Sequence, residues 1–318
     1  MASQIGPNLI MSGSLAIAVD LGGTQVRAAL VAKDATVHSQ LIENTHASSG
    51  GHVVLEQIRE MIGTLAGKVS AASVLGVGLC APGPLDAQSG IALSTPTING
   101  FSDLPIGQLL SDGLPWDVQV ENDGIAAAQG EWKHGAGQGQ ENLVYVTIST
   151  GIGGGVVADG QILHGRKGMA GHIGHMTIVA DGVLCPCGNK GCWEAYASGT
   201  AFTARANEVR NEDGVVTSAK SIFDDARRGA KYAVELVDQE AEFLGIGITN
   251  LLHLYSPDIV ILGGGMAKDF DMLEPGISRH VTKCAMPPFR DVPIVPATLE
   301  SSSGLVGVAS MVFTAHSS

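Results

Sequence analysis

Apolar positions along this chain follow two periods, one that suits strands and one that suits helices. Leu15 to Val19 is a short apolar run, broken by Asp20-Leu21-Gly22-Gly23-Thr24, and Val26 to Val31 then resumes it. Strand, glycine turn and strand predict a hairpin. From His52 to Leu65 the apolar residues Val54, Ile58, Met61, Ile62 and Leu65 recur at helical spacing, and Val74 to Leu79 returns as a strand. Asp117 to Glu121 predicts another strand, feeding a helix that starts near Asn122-Asp123 and runs through the alanines to Trp132.

A second round starts at Asn142. Leu143 to Ile148 is rich in β-branched residues, Ser149-Thr150-Gly151-Ile152-Gly153-Gly154-Gly155 reads as the turn, and Val156-Val157 continues outward. The echo of the first hairpin suggests two halves of related design. A helical region is predicted from about Gly199 to Leu254, a buried strand over Ile259 to Leu262 running into Gly263-Gly264-Gly265-Met266, and a closing helix over Gly304 to Phe313. Strands alternating with helices predict an α/β architecture with largely buried sheets. The boundary between the halves is placed near residue 121.

Composition narrows the class. The chain has 318 residues, enough for two domains with their own cores, and 45% are hydrophobic without a run long enough to span a bilayer. Met1 to Ser14 lack the charged start and apolar stretch of a secretory leader. A net charge of −13 argues against nucleic-acid partners, which demand clustered Lys and Arg. ATP is still admissible, because Mg²⁺ and backbone N–H groups can meet its charge locally. The 43 glycines gather in short runs after apolar strands, where a ligand would approach the backbone closely.

Candidate chemistry concentrates in one stretch. Gly171-His172-Ile173-Gly174-His175 is followed by Cys185-Pro186-Cys187-Gly188-Asn189-Lys190-Gly191-Cys192-Trp193-Glu194. Thiolates and an imidazole crowded so closely suit a closed, four-coordinate Zn²⁺ site that fastens a loop with little core of its own. The other two of the five cysteines, Cys80 and Cys284, stand far apart, which predicts a reducing, cytoplasmic setting rather than a disulfide framework.

Neither glycine turn has the Gly-Lys-Ser/Thr ending of a Walker loop or the spacing of a dinucleotide fingerprint. Each alone reads equally well as a plain tight hairpin or as a phosphate cradle. Two of them, with Gly263 to Gly265 at a strand-to-helix junction, favour nucleotide binding. Asp20, at the mouth of the first turn, is a candidate Mg²⁺ partner, directly or through water. Asp123 is the candidate base for a phosphoryl acceptor hydroxyl, with a helix N-cap as the competing role. Glu121 falls on the opposite face of the strand and reads as structural.

Together the Asp20–Thr24 turn, Glu121-Asn122-Asp123, the Ser149–Gly155 turn, Gly171-x-x-Gly174-His175 and Cys185-x-Cys187-Gly188-x-x-Gly191-Cys192-x-Glu194 resemble the ROK family of repressors, open reading frames and sugar kinases. The resemblance implies an actin/hexokinase-like fold, with two α/β domains closing over a sugar and ATP. It divides the chain into a small domain, 1–121, to which the helix at 305–318 returns, and a large domain, 122–304, carrying a zinc loop at 175–192. Asp20, Gly22, Gly23 and Thr24 would form the first phosphate loop; Thr150, Gly151, Gly153 and Gly154 the second; Gly263, Gly264 and Gly265 would lie by the adenosine. Asp123 matches the catalytic base, which takes the proton from a sugar hydroxyl, usually O6. Gly83, Asn99, Asn122, His172, His175 and Glu194 match sugar-contacting positions. His175, Cys185, Cys187 and Cys192 match the ligands of a structural zinc. A homodimer or homotetramer is the assembly implied.

Two positions depart from the family pattern. Most of its sugar kinases carry Glu where this chain has His172; the run Ala170 to His175 is instead similar to bacterial N-acetylmannosamine kinases. An imidazole offers a different hydrogen-bond pattern to an axial 2-acetamido group than an acceptor-only carboxylate does. The other reading of His172 is simple packing. In Thr95-Pro96-Thr97-Ile98-Asn99-Gly100-Phe101 the family shows Asn sooner after Pro and a Trp later, so Asn99 stands in that role by a local shift. The expected activity is therefore ATP- and Mg²⁺-dependent phosphorylation of the 6-hydroxyl of a hexose or N-acylhexosamine, with N-acetylmannosamine favoured and glucose the alternative. A sugar-responsive repressor of the same family is disfavoured, since fourteen residues precede Leu15 and contain no helix-turn-helix pattern or basic cluster.

Overall fold

A computed structural model of the chain describes residues 14–95, 97–210 and 218–317. The first thirteen residues of the stretch read above for a leader, Pro96 of the departing motif, and the 211–217 stretch of the long helical reading lie outside them. The chain forms two compact units. One comprises the described residues up to His134 with 164–170 and those from 302 onward; the other comprises 135–163 and 171–301.

In the first unit β1 (Leu15–Leu21), β2 (Gln25–Ala32) and β3 (Val37–Asn44) form an antiparallel meander. Helix α1 (Gly51–Ala66) carries the chain to β4 (Val74–Ala81), which pairs parallel to β1. A small antiparallel sheet of β5 (Leu85–Asp86), β6 (Ile91–Ser94) and β7 (Ser102–Leu104) and the short α2 (Ile106–Ser111) precede β8 (Val118–Asn122), parallel to β4. Helix α3 (Asp123–His134) then packs against the C-terminal helix Ser303–Ala315. Because of that packing the division falls after His134, whereas the sequence boundary at 121 assigned α3 to the second half.

The five-stranded sheet, ordered β3-β2-β1-β4-β8, buries apolar residues on both faces. On one lie Val54, Ile58, Met61 and Ile62 of α1; on the other, Leu305, Val308 and Val312 of the C-terminal helix. Two covered faces explain why β1 and β4 read as continuous apolar runs instead of alternating.

The second unit repeats the plan. β9 (Leu143–Ile148), β10 (Ile152–Ala158) and β11 (Gln161–Ile162) are antiparallel. After the loop region come α4 (Glu194–Ala197), α5 (Gly199–Arg210), α6 (Ala219–Arg227) and the 25-residue α7 (Lys231–Tyr255). β12 (Ile259–Gly263) lies parallel to β9, α8 (Phe270–Cys284) follows, and β13 (Ile294–Pro296) completes the order β11-β10-β9-β12-β13. Both sheets therefore have three antiparallel strands extended by two parallel ones. Among the described residues no helix is long and apolar enough to cross a membrane.

Candidate active site

The first unit supplies a turn and two carboxylates. Pairing of Leu21 with Val26 closes the β1–β2 hairpin, and the Gly22 amide donates to the Gln25 carbonyl at 2.9 Å. Thr45, just past β3, braces the turn twice: its hydroxyl donates to the Gly22 carbonyl at 2.7 Å and its amide to the Thr24 carbonyl at 2.9 Å. Among the described residues no acceptor meets the amides of Gly23 and Thr24. Adjacent unspent N–H groups on a braced turn are a donor set fit for phosphate oxygens.

The same register sets Asp20 opposite Arg27, and the two form a hydrogen-bonded ion pair. Cys80, the neighbour of Asp20 on β4, donates its thiol to Asp20 Oδ1 at 3.5 Å. Burial, then the charges of Asp20 and Asp123, push the Cys80 thiol well above its ordinary range, so it remains a neutral donor. The sequence reading of Asp20 as a Mg²⁺ partner did not anticipate Arg27, although the hairpin register alone places it there. With one oxygen held by a guanidinium, contact with a hydrated cation through water suits this carboxylate better than direct ligation.

Asp123 opens α3 at the end of β8. The capping role weighed for it belongs instead to Asn122, whose Oδ1 accepts from the amides of Gly124 at 3.0 Å and Ile125 at 3.4 Å. Asp123 accepts from Gly124 at 2.8 Å and keeps an exposed face. Desolvation by the protein around it and, second, the charge of Asp20 raise its pKa to about 6.

Glu121 is buried, with Oε1 accepting from the Asn122 amide at 2.8 Å and Oε2 lying 3.0 Å from His164 Nε2. That structural role agrees with the sequence reading; His164 carried no spacing signal and was missed. Gly83 precedes Pro84 through a cis peptide. Asn99 is exposed, its amide donating to the Ala47 carbonyl at 2.9 Å and its Nδ2 to the Ser48 carbonyl at 3.3 Å.

The second unit gathers the other residues. The Ser149–Gly151 turn is closed by the Ser149 amide donating to the Gly151 carbonyl at 2.9 Å, and Thr200 Oγ1 donates to the Thr150 carbonyl at 2.8 Å. As in the first hairpin, no acceptor among the described residues meets the amides of Thr150 and Gly151. Gly153 and Gly154 continue into β10 opposite Thr147 and Val146. Gly263 ends β12, and Gly264 at φ +87° passes so close to the Ile148 carbonyl that a Cβ would lie 2.4 Å from its oxygen. Gly263–Gly265 and the Ser149–Gly151 turn thus lie side by side.

His175 Nδ1 and the sulfurs of Cys185, Cys187 and Cys192 all fall within 4.8 Å of one another. Nδ1 lies 3.7 Å from the Cys185 sulfur, and the Cys187 and Cys192 sulfurs are 3.6 Å apart. A tetrahedron with Zn–S bonds of about 2.3 Å has edges of about 3.8 Å, close to both of these separations, so the donor set suits zinc. Burial raises the thiols of Cys185, to about 12, and of Cys192, while a backbone hydrogen bond at Asn189 lowers that of Cys187; a bound cation would favour the thiolate form of all three. Asn189 Nδ2 donates to the Cys192 sulfur at 3.5 Å as an outer-shell support. His175 is exposed, and Nδ1 is its ring nitrogen that faces the Cys185 sulfur.

His172 stacks near His175, ring centroids 6.2 Å apart. Burial, then His175, lowers its pKa, against an opposing pull from Glu194, so it is neutral at pH 7. Glu194 Oε2 accepts from the Ile152 amide at 2.8 Å, a contact absent from the sugar-contacting role implied by the sequence. Asp20, Asn122 and Asp123 thus share one unit, while the second turn, Gly263–Gly265, His172, His175 and Glu194 share the other.

The chain is similar to known proteins over nearly its whole length. The ROK family profile matches residues 16–315. A glucokinase of Halalkalibacterium halodurans is 34% identical over 93% of this chain and 94% of its own length. An N-acetylmannosamine kinase of Yersinia pseudotuberculosis is 30% identical over 92% of this chain and 96% of its own. The crystal structure of a ROK family glucokinase from Streptomyces griseus, in complex with glucose and AMPPNP, superposes with a TM-score of 0.83 at 30% identity, covering 95% of this chain and all of that one. From β1 to the C-terminal helix, this chain belongs to the ROK family.

Proposed function

We propose that the chain is an ATP-dependent sugar kinase, transferring the γ-phosphoryl group to the 6-hydroxyl of a hexose or N-acylhexosamine. Asp123 carries the reading. It is a carboxylate at a helix start, relieved of capping by Asn122, open on one face, and raised to about 6. Above that pH it is ionised and basic enough to take the acceptor's proton as the oxygen attacks phosphorus.

The amides of Gly23 and Thr24 and those of Thr150 and Gly151 are the donors assigned to phosphate oxygens. Asp20 orients the hydration shell of Mg²⁺, which when bound neutralises charge on the transferred group. Asn99, Asn122, His172, His175 and Glu194 are assigned to sugar hydroxyls, and zinc on His175, Cys185, Cys187 and Cys192 would hold the loop between His175 and Glu194. Four protein ligands leave that metal no open position, so its role is structural.

Between substrates, His172 favours N-acetylmannosamine, since a neutral imidazole offers both a donor and an acceptor to a 2-acetamido group. The glucokinases among the relatives favour glucose. Steady-state rates with ATP–Mg²⁺ across glucose, mannose, N-acetylglucosamine and N-acetylmannosamine test both levels. Turnover highest on N-acetylmannosamine supports the favoured substrate, a preference for glucose replaces it, and no phosphorylation of any sugar overturns the kinase reading.

A further inference from the structure

Glu194 is held more firmly than a residue that only greets a sugar needs to be. It follows Cys192, a buried member of the metal cluster, and Trp193, whose ring is fully buried and donates Nε1–H to the Phe243 carbonyl of α7 at 2.9 Å. It opens α4, so its backbone is fixed by helix, indole and cluster together. From there its Oε2 reaches the amide of Ile152, the first residue of β10, at 2.8 Å.

The contact is tight at the neighbouring position as well. A Cβ on Gly151 would stand 2.4 Å from Oε2, so the carboxylate lies flush against the backbone of the turn. The rest of the turn is tied by its carbonyls, to Gly199 N at 2.7 Å from Ser149 and to the Thr200 hydroxyl from Thr150. Glu194 supplies what those ties lack, an acceptor for the amide that directly follows the two unspent ones. Without it the turn that carries the Thr150 and Gly151 amides loses the anchor at its β10 end.

We infer that Glu194 is a positioning residue for the second phosphate turn, so that nucleotide affinity depends on its carboxylate oxygen even when no sugar is bound. The inference rests on the kinase reading, which assigns that turn to nucleotide phosphate. A purely sugar-contacting Glu194 would leave sugar-free nucleotide binding unchanged.

The test is calorimetric titration of the full-length, metal-loaded protein with a non-hydrolysable ATP analogue and Mg²⁺, without sugar. Glu194→Gln retains an acceptor oxygen at the same reach and is expected within about twofold of the unaltered protein. Glu194→Ala is expected to bind roughly tenfold more weakly, the loss of one well-placed hydrogen bond. Glu194→Asp keeps charge and solubility but falls a methylene short, so it is expected to behave like Ala and decides the matter if Ala does not fold. Ala or Asp binding as tightly as the unaltered protein overturns the inference, as does Gln weakening as much as Ala. No nucleotide binding by the unaltered protein overturns the kinase reading itself, and the inference with it.

Discussion

Nε2 of His164 lies 3.0 Å from Oε2 of Glu121, a side chain with 1% of its surface exposed. The other oxygen of Glu121 holds the Asn122 amide, one residue before the candidate base, so the pair braces the end of β8. Removing the imidazole leaves a buried carboxylate oxygen without its partner. His164→Ala is therefore expected to cost about 1–3 kcal/mol in denaturant unfolding. The hydrogen bond and charge of Glu121 raise the His164 pKa above 6.5. The sign follows from the folded state binding the proton more tightly. The pair's contribution is fully present below pH 6.5 and fades as pH climbs through the raised value. The stability gap between the two proteins should be wider at pH 6 than at pH 8; a gap that grows with pH would refute the pairing.

Asp123 offers two readouts with opposite signs. As the base, its replacement by Asn should lower kcat by about 10²–10⁴-fold. As a carboxylate whose folded pKa is raised from 3.8 to about 6, it holds its proton more tightly when folded, so ionising it costs stability as pH rises through that interval. Asp123→Asn should then melt at the same temperature as the unaltered protein at pH 7.5, or higher. The acid limb of the kcat profile should sit near pH 6. A limb near 4, or Asn retaining most of the turnover, would remove Asp123 from the reaction.

Zinc content is checkable apart from activity. Four donors within 4.8 Å of one another predict one zinc per chain in freshly purified protein and protection of Cys187 from thiol reagents until a chelator is added. Cys185→Ser should lose the metal and lower the melting temperature. Because Trp193 and Glu194 directly follow the last ligand, the loosened loop should raise KM for sugar more than it lowers kcat. Metal analysis giving well under one zinc per chain with all three thiols reactive would dispose of the site.

How legible all this was depends on which physical signal each element carried. The strands around both glycine turns stood out because the sheets are buried on both faces, so β1, β4, β9 and β12 appear as largely apolar runs. β3, Val37–Asn44, was not expected: it is an edge strand with polar residues at most positions, and its burial alternates only weakly. Helix α8 was hidden by Pro275 in its interior, where the missing N–H ordinarily argues against a helix. At the site, short motifs located the turns, the base and the metal donors. They were blind to side chains recruited from a distance: His164 forty-three residues from Glu121, and Glu194 forty-two from Ile152. Arg27 is the exception, since the hairpin register alone sets it opposite Asp20.

His172 is the position where a single substitution should move specificity. Its ring is half-buried and neutral at pH 7, because desolvation and the nearby His175 disfavour a proton more than Glu194 favours one. A neutral imidazole has one N–H and one lone-pair nitrogen, so it can meet an acetamido oxygen and a hydroxyl at once. His172→Glu replaces that pair with acceptors only, which match sugar hydroxyls and repel a carbonyl oxygen. A lost or unpaired polar contact in such a site is worth about 1–3 kcal/mol, or roughly 5- to 150-fold in kcat/KM. The ratio of kcat/KM for glucose over N-acetylmannosamine should rise by that factor in His172→Glu, with KM for ATP unchanged. A ratio that stays constant while both rates fall would mean that His172 packs against its loop and does not read the sugar.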